Sequence, residues 1–178
     1  MNSTLNNPVT KRDHILGNSG ATLTLLEYGD YQCSSCGESY LEVNHVIQEL
    51  GKKIVFVFRN FPLTAIHPDA FNAALAAEAA ALQNNYWAMY NLLFQNQEYL
   101  GGAALFSYAR IIGLDMKRFG QDVQSQKLMS KIELEMEDGI DNGVSGTPSF
   151  FINGEKFDGD WENGGLVSYL KQLMKSEA

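Results

Sequence analysis

The sequence predicts one α/β domain interrupted by a block of helices. Three patterns carry that reading. A strand–helix–strand signal runs over residues 21–59, helical periodicity alone fills residues 68–142, and a hairpin followed by a helix closes the chain. At 178 residues the chain can bury one sizeable core. Its 45% hydrophobic and 19% charged residues exclude a disordered or fibrous class.

In chain order, residues 1–20 read as an irregular lead-in, with Asn, Ser, Thr, Pro and Gly throughout. Residues 21–28 read as a mostly buried strand. A helix follows, with Tyr40, Leu41, Val43, Val46, Ile47 and Leu50 as its apolar positions and Gly51 closing it. Ile54-Val55-Phe56-Val57-Phe58-Arg59 is too continuously apolar for a one-faced strand. It predicts a strand covered on both sides, completing a βαβ unit.

The helical block has an Ala-rich first helix over 69–82, broken by Asn84-Asn85. Tyr86, Tyr90, Leu93 and Phe94 mark the next stripe, and after Gly101-Gly102 the positions Leu105, Tyr108, Ala109 and Ile112 mark another. Met116, Phe119 and Val123, then Leu128, Ile132, Met136 and Ile140, mark two more. All are read as packing stripes. Ser149-Phe150-Phe151-Ile152 returns to strand, Asn153-Gly154 is a type I′ turn signal, and Glu155-Lys156-Phe157 is the return strand. A last helix over 162–175 turns Leu166, Tyr169, Leu170 and Leu173 inward. The expected organisation is a lead-in over 1–20, an α/β domain over 21–67 and 143–178, and a helical insertion over 68–142.

A formal net charge of -8 argues against a nucleic-acid or anionic-membrane surface. No apolar run approaches the roughly 20 residues of a membrane-spanning helix. The lead-in carries Lys11 and Arg12 without an apolar segment after them, so it does not read as a signal peptide. The expected compartment is cytoplasmic, or periplasmic or secreted if a leader has been removed.

Cys33 and Cys36 are the only cysteines. They sit where the first strand gives way to a helix, in the run Gln32-Cys33-Ser34-Ser35-Cys36-Gly37. The first helical turn has unpaired N–H groups and the positive end of the helix dipole, both of which favour a thiolate. Residues i and i+3 share a helix face, so Cys36 can reach Cys33 and resolve a mixed disulfide. A zinc half-site and a stabilising disulfide are the competing readings. Zinc prefers four ligands, and His14, His45 and His67 show no ligand spacing. A disulfide across so short a loop adds little stability.

Two further positions stand out. Thr147-Pro148 feeds a proline directly into a strand, either as an ordinary edge-strand proline or as a cis peptide. Glu27 lies in an otherwise apolar strand six residues before Cys33. It is either a strand-end carboxylate paired with Lys53 or Arg59, or a buried acid of raised pKa that exchanges a proton with Cys36.

Together these features resemble the DsbA-like branch of the thioredoxin superfamily, close to its cytoplasmic-type members. The resemblance runs from Asp13 to the last helix. It is carried by Asp13-His14-Ile15-Leu16-Gly17, Leu26-Glu27-Tyr28-Gly29-Asp30-Tyr31-Gln32-Cys33, Phe58-Arg59-Asn60-Phe61-Pro62-Leu63 and Gly146-Thr147-Pro148-Ser149-Phe150-Phe151-Ile152-Asn153-Gly154. It implies a thioredoxin fold with an all-helical insertion, Cys33 as exposed nucleophile, Cys36 as buried resolving thiol, and Glu27 as the family's acid. It also implies a cis bond at Thr147-Pro148, facing the cysteines and offering backbone groups to an extended substrate. Ser34-Ser35 departs from the family, whose members usually place Pro, often followed by His, Tyr or Phe, between the cysteines. Ser34 and Ser35 are expected to line the substrate site, with hydroxyls able to donate to the thiolate.

The expected function is thiol–disulfide exchange with cysteine-containing proteins, with no metal or organic cofactor. Glutathione or a thioredoxin-type protein is the expected recycling partner and a monomer the expected state. A redox-sensing binding module and a glutathione-dependent transferase or isomerase on the same fold are the alternatives.

Overall fold

The computed structural model of the protein describes residues 5–176, so the first four residues of the expected lead-in lie outside the described residues. Strands β1 (His14–Gly17), β2 (Leu23–Gly29), β3 (Ile54–Asn60), β4 (Ser149–Ile152) and β5 (Glu155–Phe157) form one mixed sheet in the order β1-β3-β2-β4-β5. The pair β2 and β3 is parallel, linked through helix α1 (Ser34–Leu50), as the βαβ pattern requires. The other three pairings are antiparallel. Asn153 and Gly154 have φ of 51° and 83°, the left-handed pair that a type I′ turn needs.

Five helices lie between β3 and β4: α2 (Ala70–Ala81), α3 (Tyr86–Gln95), α4 (Gly102–Ile111), α5 (Met116–Asp122) and α6 (Gln126–Asp141). Helix α7 (Gly165–Ser176) follows the hairpin. One face of the sheet, through Leu25, Phe56, Phe58 and Phe150, packs with Val43 and Val46 of α1, Tyr90 and Leu93 of α3, and Leu170 of α7. The other face, through Leu26, Tyr28, Val57 and Phe151, is covered by Val9, Phe61, Met136 and Val144. Burial of β3 on both faces is what its unbroken apolar run predicts.

Several expectations need correction. His14–Gly17 is a strand, not irregular chain. Four residues at a sheet edge are too few to show alternation, and their pairing with β3 is what makes them a strand. Leu41, Ile140 and Tyr169, which the sequence pattern puts on packing stripes, are exposed. The buried face of α1 runs through Cys36, Ser39, Tyr40, Val43, Val46 and Leu50, and Leu41 lies off that line. Gly51 has φ of -58°, so it does not end α1 through a left-handed conformation.

Arg59 at the end of β3 is buried and does not meet Glu27. Its Nε donates to Asp13 Oδ1 at 2.8 Å and its Nη1 to Asp138 Oδ2 at 2.7 Å, joining the lead-in to α6. Glu78 of α2 meets His14 Nε2 at 3.0 Å and Lys131 Nζ at 2.7 Å, which ties the helical block to β1.

Candidate dithiol site

Alternation along β2 puts Glu27 on the face of Leu23 and Leu25, beneath α1. The strand ends at Gly29, where an added Cβ would lie 2.4 Å from the Phe58 ring. The turn Asp30-Tyr31-Gln32 then leads into α1, whose N-cap is Cys33, with extended φ and ψ of -73° and 125°. Helix α1 begins at Ser34, so the pair occupies its cap and first turn.

Cys33 is 9% exposed and Cys36 is fully buried, and both are free thiols. Cys33 is thus less open than an exposed nucleophile, and its Sγ lies 3.4 Å from the Thr147 carbonyl oxygen. Its pKa is lowered from 9.0 to about 5. The hydrogen bond from the Cys36 thiol is the largest cause; burial opposes it, and Thr147 and the backbone N–H groups of Cys36 and Ser35 assist. The Cys36 pKa is raised far above the thiol range, first by burial, then by Cys33 and by the charge of Glu27. Two sulfurs three residues apart therefore have opposite acidities.

Glu27 is buried, and its pKa is raised from 4.5 to about 8, chiefly by burial. Ser39 Oγ donates to its Oε1 at 2.7 Å, while its Oε2 has no partner among the described residues. The alternative of a strand-end carboxylate paired with Lys53 or Arg59 does not hold. Thr147-Pro148 is cis, directly before β4, and its Thr147 carbonyl faces Cys33. Ser34 is exposed and Ser35 half-buried, and neither hydroxyl has a hydrogen bond among the described residues. The Ser35 contribution to Cys33 comes from its backbone.

Three side chains outside the sequence expectation, Asp30, His67 and Gln97, complete the surroundings. Asp30 is buried; its N–H lies 3.4 Å from Cys36 Sγ, and its carboxylate accepts from Gln32 N at 2.7 Å and Leu63 N at 2.8 Å. His67 Nδ1 lies 2.7 Å from the same carboxylate. Gln97, between α3 and α4, reaches the carbonyls of Tyr31 and Cys33. Asp30 sits three residues before Cys33 in the same run, and that proximity was the only local signal.

A family model described as Thioredoxin matches residues 9–172. The chain belongs to the thioredoxin family. Among solved structures, it is similar to a thioredoxin-like oxidoreductase from Silicibacter pomeroyi DSS-3, at 26% identity and TM-score 0.82, over 97% of this chain and 96% of that one. It shares its fold with BdbD from Bacillus subtilis at 18% identity and TM-score 0.84, over 98% and 100% of the two chains. The thiol-disulfide exchange protein alpha-DsbA2 from Wolbachia pipientis has the same fold, at 20% identity and TM-score 0.80, over 92% of this chain and 88% of that one. The architecture is that of the DsbA-like members of the thioredoxin superfamily: a thioredoxin sheet with helices inserted between β3 and β4.

Among curated sequences, the Na(+)/H(+) antiporter NhaA 1 of Mycolicibacterium gilvum (strain PYR-GCK) is 37% identical over 163 residues, covering 90% of this chain and 26% of that protein. The chain spans about a quarter of the length of the curated relatives it matches. Among the described residues no helix is long and apolar enough to cross a membrane.

Proposed function

We propose that this chain is a protein thiol–disulfide oxidoreductase working through Cys33 and Cys36. The observation that carries the reading is their opposed acidity: a Cys33 thiolate stable at neutral pH beside a buried Cys36 that holds its proton. Membership of the thioredoxin family and likeness to a thioredoxin-like oxidoreductase and a thiol-disulfide exchange protein support it. A glutathione-dependent transferase would need one Ser or Cys, and a second buried thiol that hydrogen-bonds the first favours a working pair.

In the reducing direction, the Cys33 thiolate attacks a substrate disulfide, forming a mixed disulfide and releasing one substrate thiolate. Cys36 then gives up its proton and attacks the Cys33 sulfur, forming the Cys33–Cys36 disulfide and releasing the second substrate thiolate. Two electrons pass from the pair to the substrate. In the oxidising direction, a substrate thiolate attacks Cys33 of the disulfide and Cys36 leaves. A second substrate thiolate then displaces the Cys33 thiolate, which the α1 N-terminus stabilises. Glu27 is the proton acceptor or donor for Cys36: with a pKa of about 8, the carboxyl still holds a proton to give at neutral pH. Stabilising the Cys33 thiolate stabilises the reduced pair, so the favoured direction is disulfide donation.

Thr147 has no backbone–backbone hydrogen bond among the described residues and its carbonyl meets only the Cys33 sulfur, which supports pairing of its backbone with an extended substrate beside Cys33. Ser34 and Ser35 would line that approach, with Pro148 shaping it. The substrates are proteins with cysteines, recycled by glutathione or a thioredoxin-type partner, and the working state is a monomer. The helices over 68–142 form the insertion domain; β1 joins residues 21–67 and 143–178 in the thioredoxin domain.

The experiment is the equilibrium between the Cys33–Cys36 pair and a glutathione redox buffer. A reversible disulfide with an oxidising potential supports the reading. The absence of any reversible disulfide ends it. The cytoplasmic location expected from residues 1–20 has no support from the fold or the relatives. A strongly oxidising pair would speak for an oxidising compartment.

A further inference from the structure

Gln97 belongs to the segment between α3 and α4, far in sequence from the thiols, yet its carboxamide meets the dithiol turn at three points. Both Nε2 hydrogens are used, one on the Tyr31 carbonyl at 2.9 Å and one on the Cys33 carbonyl at 2.8 Å. Two carbonyl acceptors settle the orientation of the amide, because the flipped form would set oxygen against oxygen. The third point is Gly37. A Cβ added there would lie 2.0 Å from Gln97 Oε1 and 2.9 Å from its Cδ. A long side chain could ordinarily swing aside, but here it could do so only by releasing both carbonyls. Glycine inside a helix is less favourable than alanine, and here the space it leaves is taken by the carboxamide.

The Cys33 carbonyl also accepts the first ladder bond of α1, from Gly37 N–H at 3.2 Å. The peptide after Cys33 is therefore held from within the helix and from the helical block at once. The backbone N–H groups of Ser35 and Cys36, which help hold the Cys33 pKa down, lie in this same turn. Fixing the carbonyl end of the turn fixes where those N–H groups point.

We propose that Gln97 is a positioning residue for the dithiol pair, clamping the Tyr31 and Cys33 carbonyls so that the first turn of α1 is held in place beside the Cys33 sulfur, and that Gly37 is glycine to admit it. The consequence for exchange rests on the function proposed above. The test does not, because the Cys33 thiolate can be titrated by its ultraviolet absorbance without any exchange partner.

The variant is Gln97→Met, which keeps the length of the side chain and removes both donors. The Cys33 ionisation constant is expected to fall about two- to tenfold, the size of one net hydrogen bond. The disulfide becomes harder for glutathione to reduce by the same factor. Gly37→Ala moves both readouts in the same direction, and it carries the test if Gln97→Met does not fold. In a Gln97→Ala background the added methyl no longer meets the carboxamide, and Gly37→Ala is expected to have little further effect. A lowered melting temperature with an unmoved Cys33 titration would overturn the proposal, as would an equal effect of Gly37→Ala in both backgrounds. If the Cys33 titration moves but no reversible disulfide forms with glutathione, the oxidoreductase reading falls and the clamp stands. A reversible disulfide whose Cys33 titration ignores Gln97→Met leaves that reading intact and ends the clamp.

Discussion

Ser39 on α1 donates its hydroxyl to Glu27 on β2 at 2.7 Å, with both side chains buried. This bond lowers the Glu27 pKa, while burial, the larger effect, raises it to about 8. A carboxyl that keeps its proton when folded and loses it when unfolded makes folding less favourable as pH rises. Its contribution is complete below the unfolded value of 4.5 and is lost progressively up to about 8, where the folded carboxyl ionises too. Glu27→Gln is therefore expected to remove a stability slope. Between about pH 4 and about pH 8, wild type should lose on the order of 3–4 kcal/mol more than the variant in urea unfolding. Equal slopes would mean that Glu27 is not protonated in the folded chain. Ser39→Ala should push the carboxyl pKa above its present value.

Cys36 is the largest cause of the low Cys33 pKa. Cys36→Ala should raise the midpoint of Cys33 thiolate absorbance toward the ordinary thiol value. The same variant should accumulate a mixed disulfide with substrate, seen by mass, because nothing is left to resolve it. Rapid turnover in this variant would remove Cys36 from the proposed mechanism.

With its pKa near 5, Cys33 should react with a small alkylating agent at a rate that is flat at neutral pH. Below that value the rate should fall about tenfold per pH unit. Cys36, buried and protonated, should stay unmodified in the folded protein, and peptide mapping of the alkylated chain would check both statements.

Arg59 joins Asp13 and Asp138 in a buried network, with its Nη1 also 3.2 Å from the Tyr28 hydroxyl. Arg59→Met leaves two buried carboxylates without their cation and is expected to cost about 3–5 kcal/mol of stability. The Cys33 titration should stay in place, since the network lies on the other face of the sheet. Denaturant unfolding alongside thiolate titration would check both.

The local part of this architecture can be read along the chain. Period-2 and period-3.6 patterns, an Asn-Gly turn and a Cys-x-x-Cys spacing are set by neighbours along the chain. They suffice for β2–α1–β3, the helices, the β4–β5 hairpin, and the placement of Cys33 and Cys36 at a helix start. Glu27 was visible as a misfit in an apolar strand, but its depth and its bond to Ser39 needed the packing of α1 onto β2. β1 needed β3 beside it, and the outward turn of Leu41, Ile140 and Tyr169 needed the actual covering elements. His67 and Gln97 reach groups distant in sequence, as does Asp30 at Leu63, and such contacts leave no period or spacing to read. The tertiary structure therefore decided how the thiol pair is surrounded. The acidity of Cys33, Cys36 and Glu27 depends on burial and on donors brought from other elements, and those exist only once the chain has folded.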